Sequence, residues 1–95
     1  MNRNQKLSTV VRGRTIASSS LQGSRLTITF ADQSTLEATL DGAATLPTRT
    51  VAAVYQDGTH LRFSFEDQTT AEVELDPQST GVLVRSASGT LEYVG

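Results

Sequence analysis

Apolar and polar side chains alternate along two stretches of this chain, and the alternation repeats. Leu26, Ile28 and Phe30 are separated by Thr27 and Thr29; Leu61, Phe63 and Phe65 are separated by Arg62 and Ser64. Leu36, Ala38 and Leu40 continue the first series, as Ala71, Val73 and Leu75 continue the second. A period of two belongs to an extended strand with one buried and one wet face, the usual state of antiparallel sheets. With the segments ahead of them, these runs predict three strands in each stretch, near residues 14–20, 25–31 and 35–40, then 49–55, 60–66 and 70–75.

The two stretches read as an internal duplication. Residues 14–42 align with 49–77 without a gap, and 12 of the 29 positions are identical, including Arg14/Arg49, Gly23/Gly58, Phe30/Phe65, Asp32/Asp67 and Leu40/Leu75. Comparing the copies also types the turns. Asp57-Gly58 alone suggests a two-residue type I′ hairpin, but the first copy has Gln22 at that position, and Gln tolerates positive φ poorly. The expectation is therefore a three-residue loop, Leu21-Gln22-Gly23 and Gln56-Asp57-Gly58, with only the glycine left-handed. That register sets Ile16 opposite Ile28 and Val51 opposite Phe63.

The second turn, Asp32-Gln33-Ser34 and Asp67-Gln68-Thr69, must hold an odd number of residues to keep Phe30 and Leu36 on one side. Its Asp can accept a bond from the backbone two residues on. The expected cross-strand charge pairs are Arg25 with Asp41, His60 with Asp76 and Arg62 with Glu74.

Residues 82–85 and 90–94 predict a last hairpin, and residues 7–11 an additional edge strand; no helical period stands out. The expected fold is all-β: an internally duplicated antiparallel meander of two three-stranded units plus a C-terminal hairpin, closed as a small sandwich or barrel. Residues 1–13 would be a basic arm. Residues 14–95 would be a single β domain, with repeat one at 14–42, repeat two at 49–77 and the terminal hairpin at 81–95.

Composition agrees with this picture. Ninety-five residues suit one domain, and fourteen threonines favour pleated surfaces. The chain has no Cys, which removes disulfides, thiol chemistry and Cys-based zinc sites. No apolar run is long enough for a membrane helix, and residues 1–7 lack the apolar segment of a secretory signal. A cytoplasmic protein is expected.

Charge adds one alternative. Residues 1–31 carry five cations and no acid, whereas residues 32–95 carry three arginines against ten acids. Such asymmetry can mark an arm for nucleic acid, with Arg3, Lys6, Arg12 and Arg14 on phosphates. Four cations over fourteen residues is nevertheless sparse for a basic arm.

Candidate chemistry is thin. His60 is the only histidine; its counterpart is Arg25, and it reads as a surface residue rather than a general base. The acids Glu66, Asp67, Glu72, Glu74 and Asp76 are spread along a hairpin and do not converge as a calcium site requires. No phosphate loop occurs. Phenylalanines are assigned to the core, which leaves Tyr55 and Tyr93 as the aromatics available for contact.

The copies diverge most at Ser18-Ser19-Ser20 against Ala53-Val54-Tyr55. Val54, Tyr55 and Tyr93 are therefore the candidate partner contacts, and residues 91–94 are a weakly protected edge. The expected function is a non-catalytic protein-interaction module: an adaptor, inhibitor or accessory subunit with no cofactor and no metal. It would meet a protein partner, or another copy of itself, through sheet edges; the alternative is nucleic-acid binding through the basic arm.

Overall fold

The computed structural model describes residues 3–42 and 44–95. Their elements are helix α1 (Arg3–Val11) and strands β1 (Ile16–Gln22), β2 (Arg25–Phe30), β3 (Thr35–Thr39), β4 (Val51–Asp57), β5 (His60–Phe65), β6 (Thr70–Glu74), β7 (Val82–Arg85) and β8 (Leu91–Val94). The fold is mostly β, in two antiparallel sheets ordered β1-β2-β3-β7-β8 and β4-β5-β6. Alternation works as the sequence indicates: β2 buries Leu26, Ile28 and Phe30, and β5 buries Leu61, Phe63 and Phe65.

The chain is not one continuous meander, and the sheets do not close into a barrel. β7 lies beside β3 rather than β6, pairing Leu36 with Val84 and Ala38 with Val82. The reason is burial: Leu36, Ala38, Val82 and Val84 are all fully buried in this arrangement. Outside, Arg85 Nε donates to the Glu37 carboxylate at 3.4 Å.

The first turn of each unit differs from the expected loop. Gln22 pairs with Arg25 and Asp57 with His60, so each turn has two residues. Gly23 (φ 63°) and Gly58 (φ 59°) occupy the first turn position, as in a type II′ hairpin. That turn demands nothing unusual of Gln22, which removes the objection to a short loop.

The shorter turn would point Ile16 and Val51 outward. Bulges at Ala17 and Ala52 correct this, so that Ile16 faces Phe30 and Val51 faces Phe65 instead of Ile28 and Phe63.

The second turn holds an odd number of residues but lies one position earlier. Phe30 N–H donates to Ser34 O at 2.8 Å across Ala31-Asp32-Gln33. Gln33 and Gln68 take φ of 74° and 71°. Asp32 Oδ1 accepts Ser34 N–H at 2.9 Å, and Asp67 Oδ1 accepts Thr69 N–H at 3.0 Å, the Asx-turn expected of them. The strand register is thereby two residues from the expected one: Arg25 faces Thr39, His60 faces Glu74 and Arg62 faces Glu72. A two-residue slip leaves every side chain on its face, so the core is unchanged and only the charge partners move.

The units β1–β3 and β4–β6 meet reciprocally. Ile16 N–H donates to Arg49 O and Val51 N–H to Arg14 O, each at 2.9 Å. At the other end Asp41 N–H donates to Glu74 O at 2.9 Å and Asp76 N–H to Thr39 O at 3.0 Å. Thr15 bridges Thr50 and Leu40 bridges Leu75. Adding 35 residues and exchanging partners maps each contact onto its mate, the relation a twofold axis produces.

Residues 3–11 are a helix and not an edge strand. Asn4, Leu7, Ser8 and Val11 follow the i, i+3, i+4, i+7 spacing of one helix face, and Leu7 and Val11 are fully buried in the common core. Two of the four positions are polar, which hides the period from hydropathy. Those two side chains bond the outer edge of β4: Ser8 Oγ bonds both backbone groups of Val54, and Asn4 Oδ1 accepts Gln56 N–H at 2.7 Å. A covered edge satisfies groups that would otherwise recruit another strand.

Candidate functional site

Of the three candidate partner contacts, one is at the surface. Val54 is 0% exposed and Tyr93 3%; both belong to the core and offer no surface to a partner. Val54 is buried because α1 lies over the β4 edge, and Tyr93 because it pairs with Val84 on the inner face of β8. Tyr55 is 49% exposed. The divergence of Ala53-Val54-Tyr55 from Ser18-Ser19-Ser20 thus has two causes. Val54 serves the helix; Tyr55, one residue on, points the other way.

Tyr55 stands on the outer face of the three-stranded sheet within ordered rows. Tyr55, Arg62 and Glu72 form one row across β4, β5 and β6, and Asp57, His60 and Glu74 the next. Arg62 Nη2 is 3.3 Å from Glu72 Oε2. His60 Nδ1 lies 3.4 Å from Glu72 Oε1 and 3.0 Å from Glu74 Oε2, and Thr59 Oγ1 donates to Glu74 at 3.2 Å. Tyr55, Asp57, His60, Arg62 and Glu72 line an open depression of about 410 Å³.

Sequence reasoning treats these charges separately, as surface pairs. What it lacks is the register that brings them beside Tyr55. The available signal is the first copy, where the row equivalent to Tyr55-Arg62-Glu72 is Ser20-Thr27-Glu37.

The ring contacts of His60 are carboxylates, and its side chain is half-exposed. Among the described residues, no group of three or more His, Asp or Glu side chains converges as a metal site requires. An exposed tyrosine beside an arginine brings a large flat surface, a hydroxyl and a planar cation, the residue types that anchor protein interfaces.

The N-terminal cations lie on or just after helix α1, which packs on the core through Leu7 and Val11. Lys6 and Arg12 are exposed, and the Arg3 side chain lies outside the described residues. Arg14 is engaged: its guanidinium is 2.9 Å from the Glu92 carboxylate and 3.8 Å from that of Asp32, with the side chain 17% exposed. The counterpart Arg49 pairs with Asp67 at 3.0 Å.

Strand β8 is a sheet edge, as expected of residues 91–94. Leu91 (48%) and Val94 (63%) are exposed on its outer face. A bulge interrupts its pairing between Val84 and Arg85; it falls at Glu92, whose carboxylate receives Arg14.

Comparison with known proteins finds no matching family model, no matching curated protein and no matching solved structure. The chain is defined by its own geometry: a mostly β domain of two antiparallel sheets, with one short helix covering an edge and a tyrosine-centred charged face.

Proposed function

We propose that the chain is a non-catalytic protein-interaction module, an adaptor, inhibitor or accessory subunit of a larger assembly. It engages a protein partner through the outer face of β4–β6 and associates through a sheet edge. The observation that carries this reading is Tyr55, half-exposed in a row with Arg62 and Glu72 where the equivalent row is Ser20, Thr27 and Glu37. Tyrosine left at a surface contributes contact area at little entropic cost when bound.

The scaffold of the proposal is a duplicated unit packed on its copy as a small sandwich. The reciprocal bonds between Ile16 and Arg49 and between Val51 and Arg14 support that scaffold. No described helix is long and apolar enough to cross a membrane. A cytoplasmic location is part of the proposal, since a chain without Cys needs no oxidising compartment. The nucleic-acid reading through Arg3, Lys6, Arg12 and Arg14 has less support, because Arg14 is committed to Glu92 and α1 is anchored by Leu7 and Val11.

The test uses wild type and a Tyr55→Ser/Arg62→Ala double variant as baits in lysate of the native host, once circular dichroism has shown both folded. Proteins captured by wild type and lost with the variant are expected. Identical captured sets would remove the Tyr55 face from the proposal.

A further inference from the structure

Four strand edges are covered by no other strand: β1 and β8 in the larger sheet, β4 and β6 in the smaller. Three of them carry a protective device. Helix α1 covers β4 through Ser8 and Asn4. β8 is bulged at Glu92 and tied there to Arg14. β6 presents Glu72 and Glu74, so pairing with its own copy would set carboxylates against carboxylates.

Beyond Ile16, whose N–H is taken by Arg49 O, β1 has none of these. Ala17, Ser18, Ser19, Ser20 and Gln22 are all exposed, the strand has no charge and no proline, and its bulge lies at Ala17, ahead of the regular run. Ser19 is the counterpart of Val54, so its N–H and C=O point out of the sheet as those of Val54 point toward Ser8. Among the described residues nothing meets them.

The chemistry of the edge selects its occupant. A helix docked as α1 is on β4 needs an apolar residue beneath it, which Val54 supplies and Ser19 does not. A strand needs only the backbone groups. We propose that β1 pairs antiparallel with β1 of a second copy of this chain, about a twofold axis at Ser19. This rests on the reading of the chain as an interaction module and names the edge and the occupant. In that pairing Ser19 faces its mate and Ser18 faces Ser20, with Leu21 reaching the bulge at Ala17. All are uncharged, so no like charges oppose one another, and the two five-stranded sheets become one.

The association is weak. A run of some five residues is far below the roughly 20–30 residues a side of a standard interface. Sedimentation equilibrium should therefore span about 10 µM to about 1 mM, the range appropriate to so small a contact. Over it the weight-average mass of wild type rises from 10.2 kDa toward twice that value. Amide hydrogen exchange at Ser19 slows over the same range.

Ser19→Lys, which sets two ammonium groups face to face, stays monomeric. Ser19→Pro, tolerated on an edge because it removes only an outward N–H, does the same. A wild type monomeric throughout would overturn the proposal. So would a Ser19→Lys variant that associates like wild type, or loss of association on Val94→Lys instead, which would assign the contact to β8. Tyr55→Ser should keep the dimer and Ser19→Lys should keep the captured partner, so failure of either reading is seen separately.

Discussion

The hydroxyl of Ser8 bonds both backbone groups of Val54, donating to the carbonyl at 2.8 Å and accepting the amide N–H at 2.9 Å. A single helical side chain thereby supplies what the next strand of a sheet would supply. Ser8→Ala leaves a buried donor and a buried acceptor without a partner, at roughly 1–3 kcal/mol for each orphaned group, less whatever water recovers. Urea denaturation should show a loss of about 2 kcal/mol. The counterpart Ser19→Ala is exposed and should stay within about 0.5 kcal/mol of wild type. Equal effects at the two serines would mean that the Ser8 bonds contribute nothing.

Leu7 anchors the same helix from its apolar side and is fully buried. Leu7→Ala should cost about 2–5 kcal/mol, the range for a leucine cavity. Deleting residues 1–11 should do something different in kind, leaving the β4 edge bare and the protein prone to associate. Light scattering during concentration separates the two variants. A deletion that stays as dispersed as wild type would count against edge covering as the role of the helix.

Acid should weaken the fold through two turns. The hydroxyl and then the amide of Ser34, with Arg14 beyond, hold the Asp32 carboxyl below its ordinary value of 3.8. Thr69 and Arg49 do the same for Asp67. A lowered value in the folded state means that the folded protein holds the charged form more readily than the unfolded chain does. The resulting stability is fully present above 3.8 and is lost as pH falls through the folded-state values. The urea midpoint should therefore fall as the pH drops below 3.8. Asp32→Asn/Asp67→Asn keeps a turn acceptor without the titration and should flatten that fall. An unchanged slope would locate the acid sensitivity elsewhere.

Gln33 and Gln68 hold left-handed backbone, with φ of 74° and 71°. A left-handed non-glycine residue costs roughly 1–2 kcal/mol, against which glycine gives up part in unfolded-state entropy. Gln33→Gly and Gln68→Gly should each stabilise by about 0.5 kcal/mol and raise Tm by roughly 2–4 °C. A lower Tm would mean that the glutamine side chains contribute contacts of their own.

How much of this was legible depends on which residues carried the pattern. The buried faces of β2, β3, β5 and β6 followed from alternation, and the Asp32 and Asp67 turns from comparing the copies. The helix escaped because Asn4 and Ser8 occupy half of its inward face, and polar side chains that bond backbone leave no hydropathy signal. The bulges escaped because Ala17 and Ala52 look like ordinary small strand residues. Their trace was the odd spacing from Val51 to Val54, two buried valines three apart in a strand.

Register was the weakest point, since a slip of two residues preserves the core and alters only partners such as Arg62 and Glu72. For that reason the face around Tyr55 could be suspected from the divergence of the copies but not assembled. The position of β7 beside β3 depended on which inner face needed cover, a property of the assembled core.

The reciprocal bonds at Thr15 and Thr50 have a consequence for how the chain holds together. Neither three-stranded unit closes its own beginning: Ile16 is secured by Arg49, and Val51 by Arg14. A protein broken in the link between β3 and β4 would therefore give two fragments, each holding the missing clasp of the other. The peptide link acts there as a tether that raises the local concentration of each half around its mate, and mixing the halves should restore what the tether normally enforces.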